Sequence, residues 1–172
     1  AALLWATGDT SKEKEATSWD EAGAGAYWAE TRLVKAIEAE EAGKPQEAIK
    51  WREVATWQQL CCENSTKAAL AWKEGKEKEA TSWDEAGVGA SWAAKQSGFA
   101  IKAQDAGKNE EASMWDQVSA KSKEAFQKWM QSAMAYKVGS IDEGKSHDQE
   151  GWMASREAYN LITSYCTTQE SV

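Results

Sequence analysis

Tryptophan recurs along this chain at a fixed interval and marks a repeated pattern of apolar positions. Trp19, Trp51, Trp83 and Trp115 are each 32 residues apart. An alanine stands three positions before each of them, and a glycine stands eight positions before the last three. A constant period of this length indicates tandem structural repeats.

The repeats alternate in type, because odd copies resemble odd copies and even copies resemble even ones. The stretch KEKEATSWDEAG occupies 12–23 and occurs again at 76–87. The duplicated unit is therefore about 64 residues long and consists of two related halves of 32. A looser fifth copy places Gly144 eight positions before Trp152, which predicts an insertion after Gly139.

Each half has the apolar spacing of a helix. From Trp51, small or apolar residues follow at Val54, Cys61 and Ala68, on one helical stripe. A glycine followed by lysine is typical of a helix end, and in one copy Pro45 comes next, which is typical of a helix start. One helix of about 28–30 residues, roughly 45 Å long, is expected per half. The expected breaks are near Gly8, Gly43, Gly75 and Gly107 and between Gly139 and Gly144.

Two successive halves would form an antiparallel hairpin, which explains why alternate copies match. The predicted fold is all-α: tandem antiparallel hairpins of long helices in one domain over 1–172, either alone or as a segment of a longer array. Alanine on the stripe lets helices approach, and tryptophan supplies apolar area. The tryptophans expected in this core are Trp19, Trp51, Trp72, Trp83, Trp115, Trp129 and Trp152.

The stretches AWKEGKEKEATSWDEA and GKPQEAIKWREV resemble the tetratricopeptide repeat over most of the chain. That resemblance implies the alternative fold, an α-solenoid of shorter helix pairs with a second break per repeat near Glu63 and Gln96. The period here is 32 rather than the 34 of that family. No break is visible near Phe126. Against long helices, glycines such as Gly23 and Gly87 would lie in helix interiors, where glycine is unfavourable. Long hairpins are favoured despite this cost.

Composition restricts the possible partners. The formal net charge is −8, and positive and negative residues alternate, which argues against nonspecific nucleic-acid binding. No run of 18 apolar residues exists, so no membrane span is expected. Three cysteines, Cys61, Cys62 and Cys166, do not make a disulfide framework and favour a reducing compartment. Ala1 at the start suggests a removed leader or a fragment of a longer chain.

The sequence contains no catalytic motif, and we predict neither an enzyme nor a bound cofactor. His147 is the only histidine, so the chain has too few ligands for a zinc site. The stretch around it has the composition of a loop. The acidic pairs Asp20–Glu21 and Asp84–Glu85 do not converge on a helix and are expected to be solvated.

Several apolar side chains fall outside the core stripe and form the candidate partner-binding set: Trp28, Trp57, Leu60, Trp92 and Phe99. Trp28 and Trp92 stand nine residues after a repeat tryptophan, where other copies are mostly charged. One interpretation is a second packing edge, and the other is a partly exposed aromatic row that binds a partner. The expected function is therefore protein binding, scaffolding or self-association. A carrier of a small aromatic or apolar ligand between tryptophan-lined helices is the alternative.

Overall fold

The computed structural model describes residues 10–169, and within that range the chain forms five long helices and no strand. The helices are α1 Thr10–Glu41, α2 Pro45–Lys73, α3 Glu77–Asp105, α4 Asn109–Lys137 and α5 Ile141–Gln169. Each of the last four has 29 residues, and their first residues are 32 positions apart. The predicted all-α array of long helices is confirmed.

Each turn between helices contains a glycine in the left-handed backbone conformation. Four glycines have φ angles between 71° and 84°: Gly43, Gly75, Gly107 and Gly139. Residues with a Cβ rarely adopt this conformation, so glycine ends each helix. In the first turn, the N–H of Lys44 donates to the carbonyl of Ala39 at 2.9 Å, which closes the helix end. The breaks predicted at Gly43, Gly75 and Gly107 and between Gly139 and Gly144 are confirmed, while Gly8 lies outside the described residues.

The fifth helix keeps the same spacing as the others, so the predicted insertion after Gly139 is wrong. Gly139 ends α4, and Gly144 lies inside α5. A methyl group added at Gly144 would stand 2.6 Å from a ring carbon of Tyr136, so this glycine serves helix packing and not a helix end. The constant spacing puts His147, rather than Trp152, at the repeat-tryptophan position, within a helix and not a loop.

The helices continue through both sites where tetratricopeptide-like helix pairs would be separated. The helix α2 is unbroken across 63–67, and α3 is unbroken across 96–99. Each 32-residue period is therefore one helix, and a hairpin occupies one 64-residue unit.

Two glycines inside the helices, Gly25 and Gly89, lie where neighbouring helices approach closely. A methyl group at Gly25 would be 2.8 Å from the backbone nitrogen of Cys62, and one at Gly89 would be 3.2 Å from the Cα of Phe126. These two contacts join α1 to α2 and α3 to α4, one duplication unit apart. The close approach offsets the helix-propensity cost of about 1 kcal/mol that a mid-helix glycine carries.

Consecutive helices pack against each other, and alternate helices form two layers. The odd layer contains α1, α3 and α5, and the even layer contains α2 and α4. Ion pairs connect parallel helices within a layer, from Lys14 to Glu77 at 3.5 Å and from Lys123 to Glu53 at 2.7 Å. The core lies between the layers.

Alanine and a few large side chains fill this core. Four of the predicted core tryptophans are buried: Trp51, Trp72, Trp83 and Trp129. The prediction is wrong for Trp19 and Trp152, which are exposed, and Trp115 is only partly buried. Trp152 is exposed because it falls out of register with the 32-residue spacing.

The repeat tryptophans are covered by the preceding helix. Lys35 lies over the ring of Trp51, and the equivalent Lys67 lies over Trp83, at 5.5 and 4.5 Å from the ring centres. The next residue in this series is Phe99, whose ring centre is 4.8 Å from that of Trp115. For Trp19 the corresponding position is Leu3, which lies outside the described residues.

Candidate binding groove

A groove runs along the odd layer between the parallel helices α1 and α3, with α2 as its floor. It consists of two adjoining clefts of about 310 and 320 Å³ that share Trp28, Gln58, Ser91 and Lys95. We call these clefts together the α1–α3 groove. Their volumes fall in the lower part of the range that small-ligand pockets occupy.

Two tryptophans, one duplication unit apart, stand on the walls of this groove. Trp28 from α1 is 44% exposed, and Trp92 from α3 is 48% exposed. Tyr27 packs edge-on against Trp28, with ring centres 5.3 Å apart. A cation lies over each indole ring, Arg32 at 5.3 Å from Trp28 and Lys95 at 4.8 Å from Trp92. Both indoles keep about half of their surface exposed beside these contacts.

One end of the groove is positively charged. Arg32, Lys95 and Lys102 line the second cleft together with the buried ring of Trp51, and no carboxylate lines it. Within residues 10–169, none of these three cations has a carboxylate within ion-pair distance. Burial lowers the pKa of Arg32, although arginine remains charged at neutral pH. We call these three residues the cationic end.

The opposite end of the groove is acidic, because Glu21 lines the first cleft there. Burial raises the pKa of Glu21, and the nearby charge of Asp84 raises it further. Burial likewise raises the pKa of Glu85, with a second contribution from Asp84. The groove therefore has Glu21 at one end and Arg32 and Lys102 at the other, with Trp28, Gln58, Ser91 and Lys95 shared by both clefts.

The expected solvation of Asp84 is wrong, because this carboxylate joins three helices. The hydroxyl of Ser18 on α1 donates to its Oδ1 at 2.6 Å, and the indole N–H of Trp72 on α2 donates to its Oδ2 at 2.7 Å. Burial raises the pKa of Asp84, which outweighs the lowering effect of both hydrogen bonds. This side chain is a structural joint between helices.

The same joint occurs one duplication unit later. Ser82 donates to one oxygen of Asp148 at 2.9 Å, and Tyr136 donates to the other at 3.0 Å. Tyr136 stands in place of the first unit's tryptophan. The sequence shows these serines and aspartates repeating every 64 residues. Each serine, however, contacts an aspartate 66 positions further on, in another helix, so the pattern of a single helix does not predict the contact.

The structure does not bring the five candidate partner-binding residues together. Trp28 and Trp92 share the α1–α3 groove, and Phe99 lines its cationic end while also packing on Trp115. Trp57 and Leu60 are partly buried beside the core, on the side of α4. The ring of Trp57 packs edge-on against Phe126, with centres 5.3 Å apart.

A second groove lies between α3 and α5, above α4. This α3–α5 groove is a cleft of about 300 Å³ whose aromatic lining is Trp92, Trp129, Trp152 and Tyr159. The exposed Trp152 therefore contributes to a groove surface rather than to the core. Trp92 borders both grooves.

The other reactive side chains make ordinary local contacts. Cys61 is buried, Cys62 is partly buried and Cys166 is exposed, and none forms a disulfide. Burial raises the pKa of the Cys61 thiol to about 11, which disfavours its reactive thiolate form. His147 lies between Glu143 and Glu150 on α5. Within residues 10–169, no group of three or more histidine, cysteine or acidic side chains is arranged to hold a metal ion.

None of the helices in the described range is both long and apolar enough for a membrane span. No protein-family model, curated protein or solved structure matches this chain significantly. The structure itself thus supports the helical-repeat architecture, and a closer relation to the tetratricopeptide family is a hypothesis.

Proposed function

We propose that this chain is a non-enzymatic interaction module that binds a protein partner along its odd layer. The observation that carries the proposal is the relation between Trp28 and Trp92. They are one 64-residue unit apart, both are about half exposed, and both border the same groove. Tryptophan is enriched among the residues that contribute most to binding energy in protein interfaces.

The repeat architecture supports this role, because a stack of similar units offers the same surface position at regular intervals. The expected partner segment carries apolar or aromatic side chains, which would cover the indoles of Trp28 and Trp92. A second copy of this chain is one form of that partner.

A displayed library of random peptides provides the test, because it needs no known partner. Selection on the wild-type chain should enrich peptides rich in aromatic and apolar residues. The double variant Trp28→Ser/Trp92→Ser should bind them about tenfold or more weakly, as expected when hot-spot side chains are removed. Circular dichroism and thermal melting should show little change, since both indoles are half exposed.

The matched control is Leu70→Ser/Met134→Ser, which removes another exposed apolar pair with the same 64-residue spacing from the even layer. This control should bind the selected peptides as the wild type does. Equal binding by the Trp28/Trp92 variant, or selective loss in the control, would contradict the proposed surface. Sedimentation of both variants would show whether the partner is a second copy of the chain.

A further inference from the structure

The cationic end of the α1–α3 groove has more charge than helix packing requires. Arg32, Lys95 and Lys102 meet at a cleft of about 320 Å³ in a chain whose formal net charge is −8. Elsewhere on the surface, Lys44 pairs with Asp105 at 2.7 Å and Lys123 pairs with Glu53 at 2.7 Å. These three have no such partner within the described range.

The repeat itself provides an internal comparison. The residues 64 positions after Arg32, Lys95 and Lys102 are Gln96, Tyr159 and Cys166. All three are uncharged at neutral pH in their ordinary state. The same backbone arrangement around the α3–α5 groove therefore forms without cations, and packing alone does not explain their presence in the first unit.

The walls and floor of the cleft are suited to a flat apolar group. The guanidinium of Arg32 lies between two indoles, 5.3 Å from the ring centre of Trp28 and 5.7 Å from that of Trp51. Lys95 lies 4.8 Å from the ring centre of Trp92 and 6.0 Å from that of Phe99. The aromatic lining of the cleft itself is Trp28, Trp51 and Phe99, so a ligand here would meet aromatic rings and cations together.

The floor also holds a buried polar group whose hydrogen bonding is unmet. Gln58 lines both clefts and is only 5% exposed. Its side-chain oxygen has no hydrogen-bond partner in the described part of the chain. Buried polar atoms ordinarily have such partners, and leaving one unpaired is costly. A carboxylate has no donor for this oxygen, but the same amide carries an NH2 group from which a carboxylate can accept.

We propose that this cleft binds a small planar aromatic carboxylate. The ring lies against the aromatic walls, and the carboxylate pairs with Arg32, whose planar fork of N–H donors matches two carboxylate oxygens. Lys95 and Lys102 add positive charge at the same end. This ligand site goes beyond the proposed protein-binding role, because its occupant is a small molecule and its preference for negative charge depends on Arg32, Lys95 and Lys102.

Two isosteric probes test the proposal by titration calorimetry. The first is 2-naphthoate, and the second is its neutral analogue 2-naphthamide. The carboxylate should bind about tenfold more tightly than the amide at low ionic strength, and added salt should reduce the difference. The variant Arg32→Gln/Lys95→Tyr, which installs the residues of the second unit, should remove the preference while the fold is retained.

The control variant is Lys67→Gln, which removes a cation from a tryptophan ring outside the groove and should leave naphthoate binding unchanged. Three results would overturn the proposal. One is the absence of naphthoate binding up to about 1 mM. Another is equal affinity for the two probes in the wild-type chain. The third is displacement of naphthoate by inorganic phosphate at equal concentration, which would indicate a simple anion site without an aromatic component.

Discussion

The indole N–H of Trp72 donates to the carboxylate of Asp84 across 2.7 Å and thereby connects α2 to α3. The other oxygen of Asp84 accepts from Ser18 on α1, so one side chain joins three consecutive helices. Tyr136 makes the equivalent bond to Asp148 one unit later. The joint therefore recurs with the 64-residue period and not with every helix.

A double-mutant cycle should detect this joint. Trp72→Phe and Asp84→Ala each remove one partner of a hydrogen bond to a charged group. Such bonds contribute about 1.5–3 kcal/mol. The coupling energy from urea unfolding should fall in that range. The pair Trp115→Phe and Asp84→Ala is the control and should be additive within about 0.5 kcal/mol. A coupling equally small for Trp72 would show that its bond to Asp84 contributes nothing to stability.

The stability of the chain should respond to the protonation of Asp84. Burial raises its pKa above the ordinary value of 3.8, so the folded state takes up this proton before the unfolded state does. The unfolding free energy of the wild type relative to Asp84→Asn should therefore rise as the pH falls through the raised pKa. The gain in unfolding free energy should be complete at pH values below the ordinary pKa of 3.8.

Urea unfolding at several pH values between about 7 and 4 provides the measurement. Ser18→Ala removes a hydrogen bond that lowers the pKa of Asp84. This variant should therefore move the rise to higher pH. A relative stability that falls with decreasing pH would mean that the hydrogen bonds outweigh burial.

Two glycines in α1 should respond in opposite ways to the same substitution. A methyl group at Gly23 meets nothing within 4 Å, so Gly23→Ala should increase the unfolding free energy by about 0.5–1 kcal/mol through helix propensity. A methyl group at Gly25 would stand 2.8 Å from the backbone of Cys62. Gly25→Ala should therefore decrease the unfolding free energy by about 1–3 kcal/mol. Stabilisation by both would show that α1 and α2 are not in close contact.

Core and groove tryptophans should differ in their effect on stability. Trp51 is 4% exposed, and Trp51→Ala should cost about 3–5 kcal/mol in unfolding free energy. The same should hold for the equivalent Trp83. Trp28→Ala should cost about 1 kcal/mol or less, since half of this side chain already faces water. Urea unfolding measures both losses. Similar losses of unfolding free energy for Trp51→Ala and Trp28→Ala would show that the two side chains are equally buried.

Local signals in the sequence are sufficient to predict the helices. The left-handed glycines Gly43, Gly75 and Gly107 repeat with the tryptophans, and both signals agree. The fifth copy is misleading because Gly144 and Trp152 reproduce the same eight-residue spacing at the wrong position. Glycine ends a helix at Gly139 and permits close packing at Gly144, and these two roles have the same sequence signal.

The groove is only partly predictable. The positions of Trp28 and Trp92 on a charged face leave open a second packing edge or a partly exposed row, and the structure shows both about half exposed. The cationic end is not predictable from one helix, because Arg32 and Lys95 come from different helices and meet only after α1 and α3 pack in parallel. Trp57 is drawn beside the core by Phe126, a contact between the even helices that no single-helix pattern shows.

The accessibility of individual tryptophans in solution tests the proposed binding surface most directly. The measurement is the ¹⁹F NMR spectrum of 5-fluorotryptophan-labelled protein, assigned with single Trp→Phe variants and recorded with a soluble paramagnetic agent. In a sample shown to be monomeric by sedimentation, the signals of Trp28 and Trp92 should broaden far more than those of Trp51 and Trp83. Equal protection of all four in the monomer would contradict the proposal, because Trp28 and Trp92 would then be core residues with no surface to offer a partner.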